Sequence, residues 1–301
     1  MTIYLGIDGG GTKTSCVVAN EKTVLGSATS GGSNITRLGE ARVRESLQVA
    51  VRDACASAGI DPQQVKSACV GLSGAGRPEV RDAVARMMAE IVGGKVLVLS
   101  DLETTLEAAV GGGPGVIVIG GTGSIAYGRD ANGRTARAGG WGLAISDEGS
   151  GEWIGRAAVS SVLSAKDAGE DPPLLAEILK LWKVSTLDEL VRHANASPTP
   201  DFASLFPSVL KAAEAAEASA LKVLRAAGMA LAGLVNNVIG RLFPDSRDVP
   251  VAMSGGVFRQ SELVRKVFYN EVVAAHPEAV VQSEVVDPVE GALALARKPQ
   301  K

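Results

Sequence analysis

Apolar and polar positions fall into short alternating blocks early in the chain and into helical periods later. Residues 2–8 are β-branched and apolar and run into Gly9-Gly10-Gly11-Thr12-Lys13-Thr14, which predicts a strand ending in a tight turn. Residues 15–19 and 24–28 predict two more strands with polar turn residues between them, so the sheet opens with antiparallel hairpins. Residues 41–58 carry a helical period that stops at Gly59. A buried strand over 67–72 leads into Ser73-Gly74-Ala75-Gly76, a helix is expected over 79–91, and a strand over 95–100 ends at Asp101.

The pattern then restarts. Residues 115–119 predict a strand that meets Gly120-Gly121-Thr122-Gly123-Ser124 and turns back as a strand over 125–129. Helices are expected from Gly151 to about Phe243, with long Ala/Leu/Val faces. A strand over 249–253 ends in Ser254-Gly255-Gly256-Val257, and a helix over 261–276, a strand over 280–285 and a helix over 289–296 follow. The fold class is α/β in two domains. Residues 1–107 form the first, completed by a returning C-terminal helix at 288–299, and residues 108–287 form the second.

Composition narrows the possible partners. Of 301 residues, 46% are hydrophobic and 21% charged, as in a folded globular chain, and the 36 glycines sit in turns between apolar runs instead of repeating at a fixed period. A net charge of −3 with no basic stripe argues against nucleic acid. The apolar stretches at 110–128 and 212–240 are broken by glycines, or carry charges and paired Asn, and do not predict a membrane span. Three scattered cysteines, Cys16, Cys55 and Cys69, match no metal-ligand spacing, and with no secretory leader they predict a cytoplasmic protein.

The two glycine-rich turns carry the candidate chemistry. Small residues after a strand let backbone N–H groups converge on an anion, with hydroxyls from Thr12 and Thr14 and a charge from Lys13. Asp8, at the strand end, suits a Mg²⁺ held through water, because that ion takes few carboxylates and keeps much of its hydration. The plain alternative is a hairpin turn using glycine for its backbone freedom. The same device recurs at Gly121, Thr122 and Gly123, while G-x-x-x-x-G-K-[ST] and a strand–turn–long helix dinucleotide fingerprint are both missing. Two such turns, one per half, suggest a nucleotide gripped between the halves.

These motifs and Ser254-Gly255-Gly256-Val257 resemble the two phosphate motifs and the adenosine motif of the sugar kinase, actin and heat-shock chaperone ATPase superfamily. Gly139-Gly140-Trp141-Gly142 followed by Asp147-Glu148-Gly149-Ser150-Gly151 is similar to the BadF/BadG-type ATPase and N-acetylglucosamine kinase family. The resemblance spans the whole chain in order. It implies two ribonuclease-H-like (actin-like ATPase) domains with a nucleotide cleft between them, ATP and Mg²⁺ as cofactors, and a homodimer. It implies that Gly10, Gly11, Thr12, Lys13, Thr14, Gly121, Thr122, Gly123, Gly255 and Gly256 bind ATP, with the Mg²⁺ at Asp8. It also implies that Asn34, Asp101, Gly140, Trp141, Gly142 and Asp147 bind the sugar, and that Asp101 is the general base. Glu148 is left between substrate contact and loop structure.

The implied activity is phosphorylation of an amino sugar, N-acetylglucosamine to its 6-phosphate, with glucosamine, N-acetylmuramic acid or another hexose as alternatives. Phosphoryl transfer asks the protein for positioning, charge neutralisation and a carboxylate to take the hydroxyl proton, which suits Asp101. In purely structural terms Asp101 would N-cap the helix that follows and Asn34 would form an Asx-turn. The competing activity is an activator ATPase for acyl-CoA dehydratases or reductases, whose iron–sulfur cluster needs cysteines that this chain lacks after the second turn. A non-catalytic sugar-responsive regulator would carry a helix-turn-helix extension, and a zinc-bearing sugar kinase would carry a cysteine cluster; neither is found in the sequence. The superfamily often has a Gly-Asp pair in the helical region, where this chain reads Ala215-Ala216-Glu217-Ala218.

Overall fold

The computed structural model describes residues 1–299. The strand β1 (Ile3–Gly9) turns into β2 (Lys13–Ala19) and β3 (Val24–Gly31), followed by a single turn of helix α1 (Ile35–Leu38) and the long α2 (Glu40–Ala58). After β4 (Val65–Leu72), α3 (Pro78–Ala89), β5 (Lys95–Ser100) and α4 (Asp101–Val110), the chain repeats its opening with β6 (Gly115–Gly120), β7 (Ser124–Arg129) and β8 (Thr135–Gly139). Helices α5 (Gly151–Asp167), α6 (Pro173–Trp182), α7 (Leu187–Ala194), α8 (Phe206–Glu214) and α9 (Ala218–Leu242) form the predicted helical stretch. Then come β9 (Pro250–Ser254), α10 (Gly256–Gln260), α11 (Glu262–Ala275), β10 (Val280–Val286) and α12 (Pro288–Arg297).

The chain forms two compact units, one of Met1–Ile117 with the segment beginning at Val286, the other of Val118–Val285. The division falls inside β6, ten residues beyond the one expected at 107/108. Each unit has a five-stranded sheet of the same connectivity, β3-β2-β1-β4-β5 and β8-β7-β6-β9-β10. In the first, β1 runs antiparallel to β2 and parallel to β4, and β4 runs parallel to β5. A parallel pairing needs a crossover, which α2 and α3 supply.

Alternation along the central strands sorts the side chains of the first unit. Ile3, Leu5 and Ile7 of β1 join Ala68, Val70 and Leu72 of β4 beneath α2 and α3, whereas Tyr4 and Cys69 face Ala292, Leu295 and Ala296 of α12. That second face is tight: a Cβ on Gly6 would come within 2.7 Å of Leu293 N, and one on Gly291 within 1.9 Å of Thr104 O. The C-terminal end is tied down by Arg297, whose Nη2 donates to Asn20 O at 2.7 Å, and by the Lys298–Glu107 ion pair.

In the second unit α9 is the central helix, burying Ala220, Leu224, Ala227, Leu231, Val235 and Val238 at helical spacing against its neighbours. It is the one described helix long and apolar enough to cross a membrane by length and composition, although the sequence pattern predicts no span there. The strand β8 is absent from the sequence expectation. Its run Thr-Ala-Arg-Ala-Gly carries little β-propensity, and pairing with β7 from Ile125↔Gly139 to Arg129↔Thr135 makes it a strand.

Candidate functional site

The first turn closes with Gly10 N donating to Lys13 O at 2.9 Å, and its neighbours bind back onto it, Ser33 N to Gly10 O and Ser73 N to Gly9 O, each at 2.9 Å. Thr12 and Lys13 are exposed, and Gly10 has open space where a Cβ would stand, with Lys13 O at 3.8 Å as the nearest atom. Thr14 needs a correction. Its side chain is fully buried, and its Oγ1 lies 2.7 Å from Gly31 O and 2.8 Å from Ser33 Oγ. With one proton to give, that hydroxyl donates to Gly31 O and accepts from Ser33; it staples β2 to the 31–33 segment and does not face a phosphate. Asp8 is the penultimate residue of β1, in register with Ser15 and Gly71.

Asn34, Ser73 and Asp101 come together at the same end of this sheet. Asn34 caps α1, its Oδ1 accepting from Arg37 N at 3.2 Å, so the expected Asx-type bond is present; its Nδ2 also donates to Ser73 Oγ at 3.2 Å. Asp101 is not the helix cap. Ser100 caps α4 in a capping box with Glu103, which leaves Asp101 as the first helical residue with a partly buried side chain. Its Oδ1 accepts from Leu102 N at 3.0 Å, and the Ser73 side chain is a polar neighbour that also draws its pKa down. Burial pushes the Asp101 carboxyl up to about 6 despite these neighbours, the range in which a carboxylate serves as a general base near neutral pH.

In the second unit, Gly121 N donates to Gly123 O at 2.9 Å, and Gly151 N at the start of α5 donates to Gly121 O at 2.8 Å. The N-cap Ser150 and the first turn of α5 therefore stand directly beside the turn, where a helix terminus favours negative charge. Asp147 adopts φ 69° and is only 5% exposed. Burial raises the pKa of its carboxyl, outweighing the opposite pull of the Ser124 and Gly142 backbone N–H groups. Its Oδ1 is buried with no hydrogen-bond partner, an acceptor in want of a donor. Gly140 and Gly142 both have positive φ, and Trp141 between them is 64% exposed, with the Arg137 guanidinium 4.2 Å from its ring centre. Glu148 is exposed; its Oε2 accepts from Ser146 Oγ at 3.2 Å and its backbone O from Ser124 Oγ at 2.8 Å, so the structure gives it a loop role.

Gly255 has φ 99° and lies so close to Gly120 that a Cβ would meet Gly120 O at 2.3 Å, so the corner between β9 and α10 requires glycine for its own sake. Gly256, like Gly10 and Gly121, has room for a Cβ, its nearest atom being Gln260 Nε2 at 3.5 Å. The fold does not demand glycine at these three positions, which are bare cradles of the kind a phosphate or base needs. No group of three or more His, Cys, Asp or Glu side chains suited to a metal exists among the described residues. The three cysteines are free and buried, and burial raises all their thiols, Cys55 to about 11 and Cys69 to about 12.

Two units of equal sheet connectivity, each with a glycine turn open to an anion, define the actin-like ATPase class. The chain belongs to the BadF/BadG/BcrA/BcrD ATPase family, which matches residues 5–296. It is 31% identical to an N-acetylmuramic acid/N-acetylglucosamine kinase of Clostridium acetobutylicum, over 99% of both chains. It is 30% identical to an N-acetyl-D-glucosamine kinase of Dictyostelium discoideum, again over 99% of both. A solved structure of a candidate N-acetylglucosamine kinase from Chromobacterium violaceum superposes with TM-score 0.77 at 28% identity, covering 99% of each chain.

Ser73 is the site residue that the sequence did not single out. It lies in the glycine-rich segment after β4, and its hydrogen bond with Asn34, 39 residues before it in the chain, marks it.

Proposed function

We propose that this protein transfers the γ-phosphate of Mg·ATP to a hydroxyl of an amino sugar, with N-acetylglucosamine taken to its 6-phosphate as the leading case. The observation that carries the reading is the Asp101 carboxylate, held by Leu102 N at the start of α4 and raised by burial to about 6. Asp101 accepts the proton of the attacking hydroxyl, the sugar oxygen bonds to the γ-phosphorus, and the bond to the β-phosphate oxygen breaks to release ADP.

Gly10, Gly11, Thr12 and Lys13 on one turn, and Gly121, Thr122 and Gly123 on the other, bind the phosphates, while Gly255 and Gly256 meet the adenosine. The open Cβ positions at Gly10, Gly121 and Gly256 support this. Asp8 holds Mg²⁺ through water, and the ion supplies charge neutralisation on the phosphates. Asn34, Gly140, Trp141, Gly142 and Asp147 contact the sugar. The unpartnered Oδ1 of Asp147 is an acceptor matched to a sugar hydroxyl. We place the enzyme in the cytoplasm as a homodimer, by analogy with the family resemblance.

A panel of N-acetylglucosamine, N-acetylmuramic acid, glucosamine and glucose, assayed for ADP release with Mg·ATP and for the sugar phosphate by mass spectrometry, tests the reading. We expect the N-acetylated sugars to lead. Silence across the whole panel would sink it.

A further inference from the structure

We infer that the buried hydroxyls of Thr14 and Ser33 form a positioning pair that ties the first glycine turn to the loop carrying Asn34. A nucleotide held at the turn then steadies the acceptor side, and a sugar at the loop steadies the nucleotide side. The inference rests on the proposed roles of that turn and of Asn34.

Strand pairing sets the two segments side by side. Thr14 on β2 pairs with Gly9 of β1 and with Ser30 of β3, so the turn and the end of β3 flank the same residue. Strand β3 ends at Gly31, and the chain then runs through Gly32 and Ser33 to Asn34, the cap of α1. The two runs meet backbone to backbone, with Ser33 N donating to Gly10 O at 2.9 Å. A Cβ on Gly32 would stand 2.5 Å from Gly11 O, and one on Gly9 would stand 2.0 Å from Ser33 Oγ. At such distances a shift of one run displaces the other.

The hydroxyls hold this contact in one arrangement. Thr14 gives its one proton to Gly31 O at 2.7 Å and accepts from Ser33 Oγ at 2.8 Å. Both side chains are fully buried, so water does not compete for either bond. A hydroxyl that only pinned the strand would end its reach at Gly31. The bond from Ser33 carries the tie beyond the strand, to the residue next to Asn34.

The loop is also anchored without this pair. Ser46 Oγ on α2 donates to Gly32 O at 2.8 Å, and Ser30 Oγ donates to Ser46 O at 2.7 Å. Ser33→Ala therefore removes one hydrogen bond, leaves Thr14 on Gly31 O and leaves the loop attached to α2. A phosphate on the backbone of the turn restricts Gly10 and Gly11, and the contacts with Gly32 and Ser33 pass the restriction to Asn34. A second ligand then has less freedom to remove and binds more tightly. Linkage makes the effect equal in both directions.

Amide hydrogen exchange on the full-length protein, read by mass spectrometry, tests the tie without any sugar. Saturating Mg·ADP is expected to slow exchange over residues 31–38 by about 3–10-fold in the parent and by less than about 2-fold in Ser33→Ala. Thr14→Ser, which keeps the hydroxyl, should behave as the parent. Titration calorimetry then reads the coupling: N-acetylglucosamine should tighten Mg·ADP binding about 5-fold or more in the parent and less than about 2-fold in Ser33→Ala. A loss of stability alone would leave that ratio unmoved. Exchange unaltered by Mg·ADP in the parent, a Ser33→Ala protein with the parent's ratio, a Thr14→Ser protein without it, or a Ser33→Ala chain that fails to fold would each overturn the inference. Exchange slowed as expected with no sugar bound would uphold the tie and remove the acceptor sugar from the proposed function, so the two failures are told apart.

Discussion

The Asp147 carboxylate lies against the bare Cα of Gly123: a Cβ there would stand 2.9 Å from Asp147 Oδ2. A residue expected to hold the sugar and a residue expected to hold phosphate are thus in contact within one unit. Gly123 has no left-handed backbone to forbid a side chain, so alanine would act by pressing on the carboxylate. Gly123→Ala should lower kcat/KM by about 10-fold or more with little change in folding. A near-normal value measured on a sugar that is turned over would show that Asp147 is free to move.

Gly121→Ala and Gly256→Ala are the complementary pair. The protein has space for both methyl groups, with nearest atoms at 3.9 and 3.5 Å, so melting temperatures should stay within a few degrees of the parent. If phosphate and adenosine approach these backbones, the KM for ATP rises about 10-fold or more while the sugar KM holds. Isothermal titration with ADP provides a second measure.

Asp101→Asn should cut kcat about 10²–10⁴-fold and leave ATP binding intact. In the parent enzyme, activity should fall as pH drops below about 6, where the base takes up its proton. Stability should respond in the opposite sense. The folded carboxyl holds its proton more tightly than the ordinary value of 3.8, so its contribution favours the fold below about pH 4 and is lost as pH rises through about 6. At pH 8 the Asn variant should therefore melt about 2–5 °C above the parent, with the gap closing in acid. An inactive variant no more stable at pH 8 would point to a carboxylate that is solvated and not buried.

Gly291→Ala reverses the usual preference. Alanine is favoured over glycine in a helix by about 1 kcal/mol, but here its methyl would meet Thr104 O at 1.9 Å and Ala108 N at 2.7 Å. We expect α12 to be pushed off α4 at a cost of about 3 kcal/mol or more, seen as a lower denaturant midpoint.

Ala216 has φ 60°, a left-handed conformation that strains any residue with a Cβ. Glycine there should raise stability by about 0.5–1 kcal/mol, measured by the same denaturant curve. The neighbouring Glu217 is fully used in structure, taking Leu174 N at 3.0 Å and Ser219 Oγ at 2.8 Å.

The elements built from local pattern were legible in the sequence. The two hairpin turns, the strand before Asp101, the helical stretch and the returning C-terminal helix all announce themselves through periodicity and glycine placement. What escaped depends on residues far apart in sequence. Thr14 looks like a phosphate hydroxyl until Ser33 and Gly31 fold over it, and Ser100 takes the cap because Glu103 closes the capping box. Strand β8 exists through its partner. The pairing of Asn34 with Ser73 is invisible without the meeting of two loops.

The first unit is closed by a helix made after the whole of the second unit. The second unit, Val118–Val285, is continuous in the chain. The sheet of β1, β2, β3, β4 and β5 leaves the ribosome earlier, yet one of its faces, with Tyr4, Leu97 and Leu99, stays bare until Ala292, Leu295 and Ala296 arrive to cover it. The first unit can therefore complete its cover only after the second has been made, and until then part of its sheet is exposed to aggregation. A chain cut short anywhere before α12 would be expected to be lost by aggregation, well before the question of activity arises.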